Sequence, residues 1–262
     1  MLIDSHCHLD FPELTSDESG VLARARTAGV AGMLTIGTRL DQFERVRAIA
    51  ERHENVWCSV GVHPHEAKEE GQRTPDRLIE ATHHPKVVGI GETGLDFYYE
   101  HSPRDEQAES FRAHIAASRQ TGLPLIVHTR NADAETGDIL EEEHGKGAFP
   151  GLIHCFSSGR AVAERALALG LYISISGIVT FKAAEELRAI VRDVPLDRLL
   201  VETDAPYLAP IPKRGKTNEP AFVAHTAAKV AELKGVSLAE LEAATTDNFF
   251  RLFTKAERSR CA

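Results

Sequence analysis

Two histidines near the start of the chain, His6 and His8, have the spacing of a metal-ligand pair on a β-strand. Leu2 and Ile3 precede them and predict that strand. Because successive side chains of a strand alternate between its faces, both imidazoles point the same way and Cys7 points away. Neutral imidazoles held side by side can bind one divalent ion. Two polar residues on an exposed strand end would have the same spacing, so the metal hypothesis depends on further ligands.

Histidines and carboxylates also follow later strand-like runs, and each lies where such a run ends. They are His63 after residues 56–60, Glu92 after residues 87–90, His128 after residues 125–127, His154 at the end of residues 152–154, and Asp204 after residues 199–202. Further strands are predicted at residues 2–4, 32–36 and 172–175, which makes eight in all.

Charged, alanine-rich segments separate these runs and predict helices. Alternating strands and helices are typical of parallel sheets with helical crossovers. Eight such units in 262 residues predict a (β/α)8 barrel, with residues 1–262 forming a single domain. An open, doubly wound sheet is the alternative, but no GxGxxG motif follows the first strand. In a barrel, the candidate ligands would all lie at the carboxyl ends of the strands, where barrel enzymes have their active sites.

The types of the candidate ligands suit a metal centre. Imidazoles and ionised carboxylates bind Zn²⁺, Mn²⁺ or Mg²⁺. Six ligands exceed the needs of one four-coordinate ion, so we predict two divalent ions that share Glu92. Such a pair suits the hydrolysis of phosphate esters. The six are His6, His8, Glu92, His128, His154 and Asp204.

The composition restricts the possible partners. A net charge of −9 argues against broad adhesion to duplex nucleic acid, which needs an extended basic face. A basic loop at residues 213–216 follows the eighth strand, where Arg214 and Lys216 would contact a phosphate group or form an ordinary solvated turn.

No apolar run approaches the roughly 20 residues of a membrane span, and no secretory signal is expected. Four cysteines without a CxxC pair favour reduced thiols and a cytoplasmic location.

Other polar residues have more than one interpretation. Cys7 and Cys155 each lie next to a candidate ligand and are predicted to be small core residues. Asp96 is predicted either to hydrogen-bond the site loop or to form a turn. Glu202 is predicted to support a ligand histidine or to pair with a buried basic residue. Four further histidines lie in charged, helical segments and are predicted to be solvated: His53, His114, His144 and His225.

Seven motifs along the chain resemble those of the TatD-type metal-dependent deoxyribonucleases, which are amidohydrolase-like barrels. They stand in the family's order and span nearly the whole chain. One departure is a second serine, Ser158, where the family usually reads HCFSG. The motifs are IDSHCHLD at residues 3–10, GVHPH at 61–65, GETGLDFYY at 91–99, HTRNAD at 128–133, HCFSSG at 154–159, ETDAPYLAP at 202–210 and RGKTNEP at 214–220.

This resemblance implies a role for each candidate residue. The resemblance leaves open whether Asp204 is a ligand, the acceptor of a proton from the attacking water, or both; we predict both, because a metal-bound carboxylate keeps a free oxygen. His63 would contact the substrate or support the ligands, and Arg130 would contact a phosphate group. The resemblance assigns one ion to His6, His8 and Asp204, the other to His128 and His154, and the bridge between them to Glu92.

The leading hypothesis is a metal-dependent nuclease that removes nucleotides from DNA ends and prefers single strands. A confined pocket with one small basic loop suits the trimming of ends better than the gripping of duplex DNA. The alternative is an ester or amide hydrolase with the same centre, such as a D-aminoacyl-tRNA deacylase. A metal-binding scaffold without catalysis is the least supported, because no ligand position is missing. Nothing in the sequence indicates a membrane or an obligate protein partner.

Overall fold

The parallel sheet of this protein contains eight strands in chain order, each paired with the next. The computed structural model describes residues 1–69 and 75–261. Because helices connect the consecutive parallel strands, the predicted (β/α)8 barrel is confirmed. The strands are β1 (Leu2–Cys7), β2 (Val30–Thr35), β3 (Val56–Val60), β4 (Val87–Asp96), β5 (Leu125–Arg130), β6 (Gly151–Ile153), β7 (Tyr172–Ile175) and β8 (Leu199–Val201).

The helices surround the barrel and close one of its ends. Across the described residues, no helix combines the length and apolar character needed to cross a membrane. The α-helices are α1 (Pro12–Thr15), α2 (Glu18–Thr27), α3 (Phe43–Arg52), α4 (Asp76–Ala81), α5 (Arg104–Thr121), α6 (Asp133–Gly145), α7 (Arg160–Ala168), α8 (Glu185–Asp193), α9 (Val223–Lys234) and α10 (Leu238–Leu252).

The inside of the barrel is filled by apolar side chains near the amino ends of the strands. Each strand contributes one of them to a single buried cluster, as the alternation of side chains in parallel strands requires. Phe249 of α10 and the following Phe253 join the cluster and cover it from below. The contributing residues are Ile3, Leu34, Trp57, Val88, Ile126, Leu152, Tyr172 and Leu200. This packing leaves the carboxyl end as the open end of the barrel.

The first and last strands meet at a seam that carries three of the candidate ligands. Within the described residues, one isolated parallel bridge, between Cys7 and Ala205, joins this seam. His8 N donates to Ala205 O (2.8 Å), and Asp204 N donates to His6 O (2.9 Å). The backbone past the end of β8 is therefore tied directly to the backbone that carries His6 and His8.

Strand β4 continues further than the sequence predicts. We expected it to end at Ile90, but it runs to Asp96. Two glycines with positive φ, Gly91 (132°) and Gly94 (139°), lie within this extension. A Cβ atom on Gly94 would lie 2.0 Å from His128 O, so only glycine allows β4 to approach β5 this closely. The prediction was wrong because glycines that usually end a strand here permit a tight pairing.

Candidate metal centre

Seven of the candidate site residues converge at the carboxyl end of the barrel. His6 lies on β1 and His8 directly follows it, while Glu92 lies on β4 and His128 on β5. The others lie in the loops after β3, β6 and β8, and they are His63, His154 and Asp204. All of these except His6 line one cavity, and His6 lies directly beneath it, with its Nε2 3.3 Å from Glu92 Oε2.

The two carboxylate oxygens of Glu92 face different groups of imidazoles. Oε2 lies 3.3 Å from Nε2 of His6. Oε1 lies 2.9 Å from Nδ1 of His128 and 2.8 Å from Nε2 of His154. His63 Nε2 approaches the same oxygen at 3.3 Å. Glu92 therefore stands between two clusters of nitrogen donors, which is the arrangement of a bridging carboxylate.

Asp204 completes the donor group on the β1 side. Its Oδ1 lies 3.6 Å from His6 Nε2 and 3.4 Å from His8 Nε2. Asp204 has a positive φ of 57°, and its backbone is tied to β1 as described above. A non-glycine residue in this conformation is held there by its surroundings. The turn after β8 thus directs this carboxylate at His6 and His8.

Several buried ring nitrogens of this cluster make no hydrogen bond, although carboxylates lie close to them. In the described part of the chain, both ring nitrogens of His6 and Nδ1 of His8 have no hydrogen bond. Buried polar atoms are normally satisfied, so unpaired imidazole nitrogens beside carboxylates fit a divalent ion. Compact donor sets within 4.8 Å are His6–His8–Glu92 and His63–Glu92–His128, with a third at His6–His154–Glu202. Nitrogen and oxygen donors of this kind suit Zn²⁺, Mn²⁺ and Mg²⁺.

The charges in this buried cluster stabilise each other. Burial alone favours the neutral forms of Glu92 and His154. The attraction between the two opposite charges outweighs this effect of burial. It holds the pKa of Glu92 well below the usual range of a glutamate and the pKa of His154 well above the usual range of a histidine. Glu92 is therefore an ionised carboxylate at neutral pH, as a metal ligand must be.

Asp96 orients His128 from the side away from Glu92. Its Oδ2 lies 3.3 Å from Nε2 of His128 and 2.8 Å from Nε2 of His65. Because Nε2 of His128 faces Asp96, Nδ1 is the ring nitrogen that faces Glu92. The other oxygen, Oδ1, accepts from the backbone N–H groups of Tyr98 and Tyr99 (both 2.9 Å). Asp96 therefore has both of the roles considered from the sequence.

Glu202 is the corresponding support for His154. Its Oε1 lies 3.3 Å from Nδ1 of His154 and accepts from Cys155 N at 2.8 Å. Glu202 is fully buried. Among the described residues it forms no ion pair with a lysine or an arginine, and its charged partner is His154. The geometry thus agrees with the prediction that Glu202 supports a ligand histidine, and not with the alternative that it pairs with a buried basic residue.

Asp4 joins the two strands of the seam beneath the cluster. Its Oδ2 accepts from Thr203 Oγ1 (2.6 Å), and its Oδ1 accepts from the backbone N–H of Thr203 (2.9 Å) and of His6 (3.3 Å). Complete burial raises the pKa of Asp4 to about 8. Asp4 thus positions the backbone on either side of His6 and Asp204.

A cavity of about 650 Å³ opens above the cluster. Among the residues that the structure describes, Arg130 is the one lysine or arginine in the cavity lining. Its guanidinium lies 4.1 Å from the ring centre of Tyr98 and 4.7 Å from that of Tyr99, and it has no carboxylate partner among the described residues. Its N–H groups are therefore available to an anionic ligand.

The two cations of the basic loop lie elsewhere. Arg214 stacks on Phe181, with 3.9 Å between its guanidinium and the ring centre, and Lys216 is exposed. Neither lines the cavity. Their contact with a substrate, which the sequence predicts, stays a prediction.

Cys155 lies in the cavity lining. The prediction that it is a core residue is therefore wrong. The strand alternation that the prediction assumed ends at β6, because Cys155 has a positive φ of 42°. Its Sγ donates to Ser176 Oγ at 3.2 Å. Cys7 is fully buried and packs in the apolar core, as predicted.

His114 is a buried residue that sequence reasoning missed, since only 2% of it is exposed. Val62 N donates to its Nε2 at 2.9 Å, and its Nδ1 donates to Ser110 O at 2.7 Å. The ring is neutral, because burial lowers its pKa to about 4. His114 therefore holds the backbone of the residue that precedes His63.

The helical spacing contained a signal for this residue. Positions 111, 114 and 115 lie on one face of α5, and that face carries the buried Phe111 and Ile115. The charged neighbours of His114 outweighed this periodicity in the prediction. The other three histidines predicted to be solvated are partly exposed, namely His53, His144 and His225.

An eight-stranded barrel with a histidine and carboxylate cluster at its carboxyl end defines a metal-dependent hydrolase. Residues 3–254 match the model of a family described as TatD related DNase. The chain belongs to this family, as the motifs predicted.

Two curated relatives match nearly the whole chain. An uncharacterized metal-dependent hydrolase YcfH of Escherichia coli K12 is 48% identical over 255 residues, covering 96% of this chain and 95% of the relative. A protein of Cronobacter sakazakii, described as the 3'-5' ssDNA/RNA exonuclease TatD, is 38% identical over 261 residues, covering 97% and 98%. Among solved structures, the TatD homologue YJJV of Escherichia coli K12 has a TM-score of 0.90 at 30% identity, covering 97% and 98%.

Proposed function

We propose that this protein is a divalent-metal-dependent nuclease that removes nucleotides from the ends of DNA and prefers single strands. The observation that carries the proposal is the position of Glu92, whose two oxygens face separate groups of imidazoles. This arrangement suits two adjacent ions and therefore in-line displacement at a phosphodiester. The exonuclease name of the relative from Cronobacter sakazakii supports the same substrate class.

The donor set divides into two groups around Glu92. Bound divalent ions would stabilise negative charge on the phosphate and promote the ionisation of the attacking water. Mg²⁺, Mn²⁺ and Zn²⁺ all suit these donors, so the choice of ion is left to experiment. We propose that His6, His8 and Asp204 hold one ion, that His128 and His154 hold the other, and that Glu92 is shared.

Asp204 is the proposed proton acceptor. Its carboxylate lines the cavity, and Oδ1 is the oxygen that faces the histidines. Burial alone raises the pKa of Asp204, but the imidazoles of His8 and His6 lower it below its ordinary value. The carboxylate is therefore ionised at neutral pH, and its second oxygen can take the proton that the attacking water loses.

His63 is better suited to the substrate than to a metal ion. His65 N donates to its Nδ1 at 3.1 Å, and burial lowers the pKa of the ring to about 4. The neutral ring therefore carries its proton on Nε2, which lies 3.3 Å from Glu92 Oε1. We propose that this N–H donates to an oxygen of the phosphodiester.

Arg130→Ala is expected to raise KM for a single-stranded oligonucleotide by roughly 10- to 100-fold and to change kcat little, because a charge-assisted contact with phosphate contributes roughly 1.5–3 kcal/mol. Steady-state kinetics with end-labelled oligonucleotides measure this effect. Arg160→Ala is a suitable control, since Arg160 lies on α7 and pairs with Asp193 at 2.7 Å. An unchanged KM would remove Arg130 from the binding site.

Arg214→Ala and Lys216→Ala in the same assay decide whether the basic loop contacts substrate.

The proposed activity is tested with protein stripped by a chelator and reloaded with Mg²⁺, Mn²⁺ or Zn²⁺. End-labelled single-stranded DNA should be shortened progressively from one end only after a metal is restored, and duplex DNA of the same sequence should be shortened more slowly. The product ladder also reveals the polarity. No cleavage with any of these ions would contradict the nuclease proposal, and turnover of D-aminoacyl-tRNA or small esters by the same preparation would favour the alternative hydrolase.

We also propose that the protein acts in a reducing compartment, the cytoplasm. All four cysteines carry free thiols in the structure, and two of them are buried. This state supports the prediction from the sequence.

A further inference from the structure

The exposed aromatic side chains of this protein are concentrated at the carboxyl rim of the barrel. Three of its four tyrosines are about half exposed: Tyr98 (56%), Tyr99 (49%) and Tyr207 (53%). They are the exposed aromatic residues of the described chain, while Tyr172 is buried at the opposite end of the barrel. Large apolar rings exposed together at an active-site rim are typical of a binding surface.

Two of these rings lie on opposite sides of the metal centre. Tyr99 follows β4 and Tyr207 follows β8, and these strands are half a circumference apart in an eight-stranded barrel. Both rings line the same cavity as Glu92 and Asp204. A ligand that crosses the centre from one side to the other therefore meets an aromatic ring at each end.

The backbone beneath each ring is held in place. Asp96 Oδ1 accepts from the N–H of Tyr99 at 2.9 Å. Tyr207 N donates to Asp204 O at 2.9 Å, and the buried Asn218 donates through Nδ2 to Tyr207 O at 2.5 Å. The backbone of each tyrosine is thus hydrogen-bonded to a residue that belongs to the site or supports it. Because the positions are preformed, less conformational entropy is lost when a ligand binds.

The surroundings of the two rings differ in charge. The guanidinium of Arg130 lies over the ring of Tyr99, 4.7 Å from its centre, so a base stacked on the other face of this ring would lie close to a phosphate bound by Arg130. Tyr207 contacts Phe11 edge to face, with 6.0 Å between the ring centres, and Phe11 stacks on His8. This second side is aromatic, with a metal-ligand histidine beneath it.

We infer that Tyr99 and Tyr207 are base-stacking residues, each of which holds one nucleobase of a single-stranded nucleic acid, with the scissile phosphodiester at the metal centre between them. The inference rests on the proposed nuclease function and adds the residues that select the substrate. Every base has an aromatic face, so stacking accepts any sequence. A base inside a duplex is already stacked and paired, so the two tyrosines favour single strands over duplex.

Leucine and phenylalanine variants at both positions test this inference with metal-loaded enzyme. We expect Tyr99→Leu and Tyr207→Leu each to raise KM for a single-stranded oligonucleotide roughly 10-fold, since each variant loses the stacking of one base. Tyr99→Phe and Tyr207→Phe keep the ring and should stay within about 3-fold of wild type. Leu238→Ala, at an exposed position on α10, is the control for a surface substitution.

A second substrate separates stacking from other losses. In an oligonucleotide with abasic residues at both ends the phosphates remain but the bases are gone, so the leucine variants should cleave it with the KM of wild type. Equal KM values for wild type and both leucine variants on the normal oligonucleotide would overturn the inference. So would a loss of the same size on both substrates.

A binding measurement keeps this test independent of catalysis. The chain has a single tryptophan, Trp57, which is buried in the lower barrel cluster and so gives a constant background. Tyr99→Trp or Tyr207→Trp places a fluorophore at the proposed contact, and a single-stranded oligonucleotide should quench it while an abasic one should not. Quenching without cleavage would support stacking and contradict the nuclease function. Cleavage without quenching would support the nuclease and overturn stacking.

Discussion

Replacing Glu92 with glutamine is expected to lower metal-dependent kcat by roughly 10³-fold or more and to leave the barrel folded. Glutamine has one oxygen where Glu92 has two, and its NH₂ group would face either His6 or the pair of His128 and His154. One donor group would therefore lose its shared ligand, and the negative charge that would attract the two proposed ions disappears.

Glu66→Gln is a matched control for this variant, because Glu66 lines the same cavity but pairs with Arg39, outside the histidine cluster. Its activity should stay within about 3-fold of wild type. Elemental analysis should show less bound metal in Glu92→Gln, and circular dichroism should show unchanged helix content. Full activity of Glu92→Gln would exclude a bridging role for Glu92.

Acid is expected to destabilise this protein through His114. The pKa of this histidine falls from its ordinary value of 6.5 to about 4 in the folded protein, because burial opposes the charged ring. The unfolded chain thus binds a proton more readily than the folded chain in this range. The contribution is fully present above about pH 6.5 and is lost as the pH falls toward 4, by about 3 kcal/mol of the free energy of unfolding.

Urea denaturation of chelator-treated protein at several pH values between 7.5 and 4 measures this loss. His114→Gln removes the titrating ring, so its stability at pH 7.5 should be lower, but its decline with acid should be shallower than in wild type. His144→Gln, at a partly exposed position on α6, should keep the decline of wild type. Parallel curves for wild type and His114→Gln would show that His114 does not titrate in this way.

The donor residues could be chosen from the sequence because each lies at or just after a strand-like run. In a barrel of parallel strands, the position of a residue relative to the end of its strand determines which end of the barrel it occupies. His6, Glu92 and His128 therefore meet although they are far apart in the chain. No long-range contact needs to be known for that conclusion.

The residues that support these donors were harder to predict. His114 is on a helix, and its bond to Val62 depends on how that helix packs against the loop after β3. Cys155 faces the cavity because of a single positive φ, which strand alternation does not anticipate. Arg214 lies close to the site in sequence order, yet its guanidinium stacks on Phe181 outside the cavity lining.

The sequence by itself determined the barrel and the convergence of the donors, because periodicity and strand ends are local properties of a chain. Only the tertiary structure decided which oxygen of Glu92 faces which imidazole, how Asp96 contacts His128, and that Tyr99 and Tyr207 line one cavity from opposite sides. These features depend on side-chain direction and on distances of a few ångströms between elements far apart in the chain. Such distances arise only when glycines such as Gly94 let two strands approach and the seam between β1 and β8 closes.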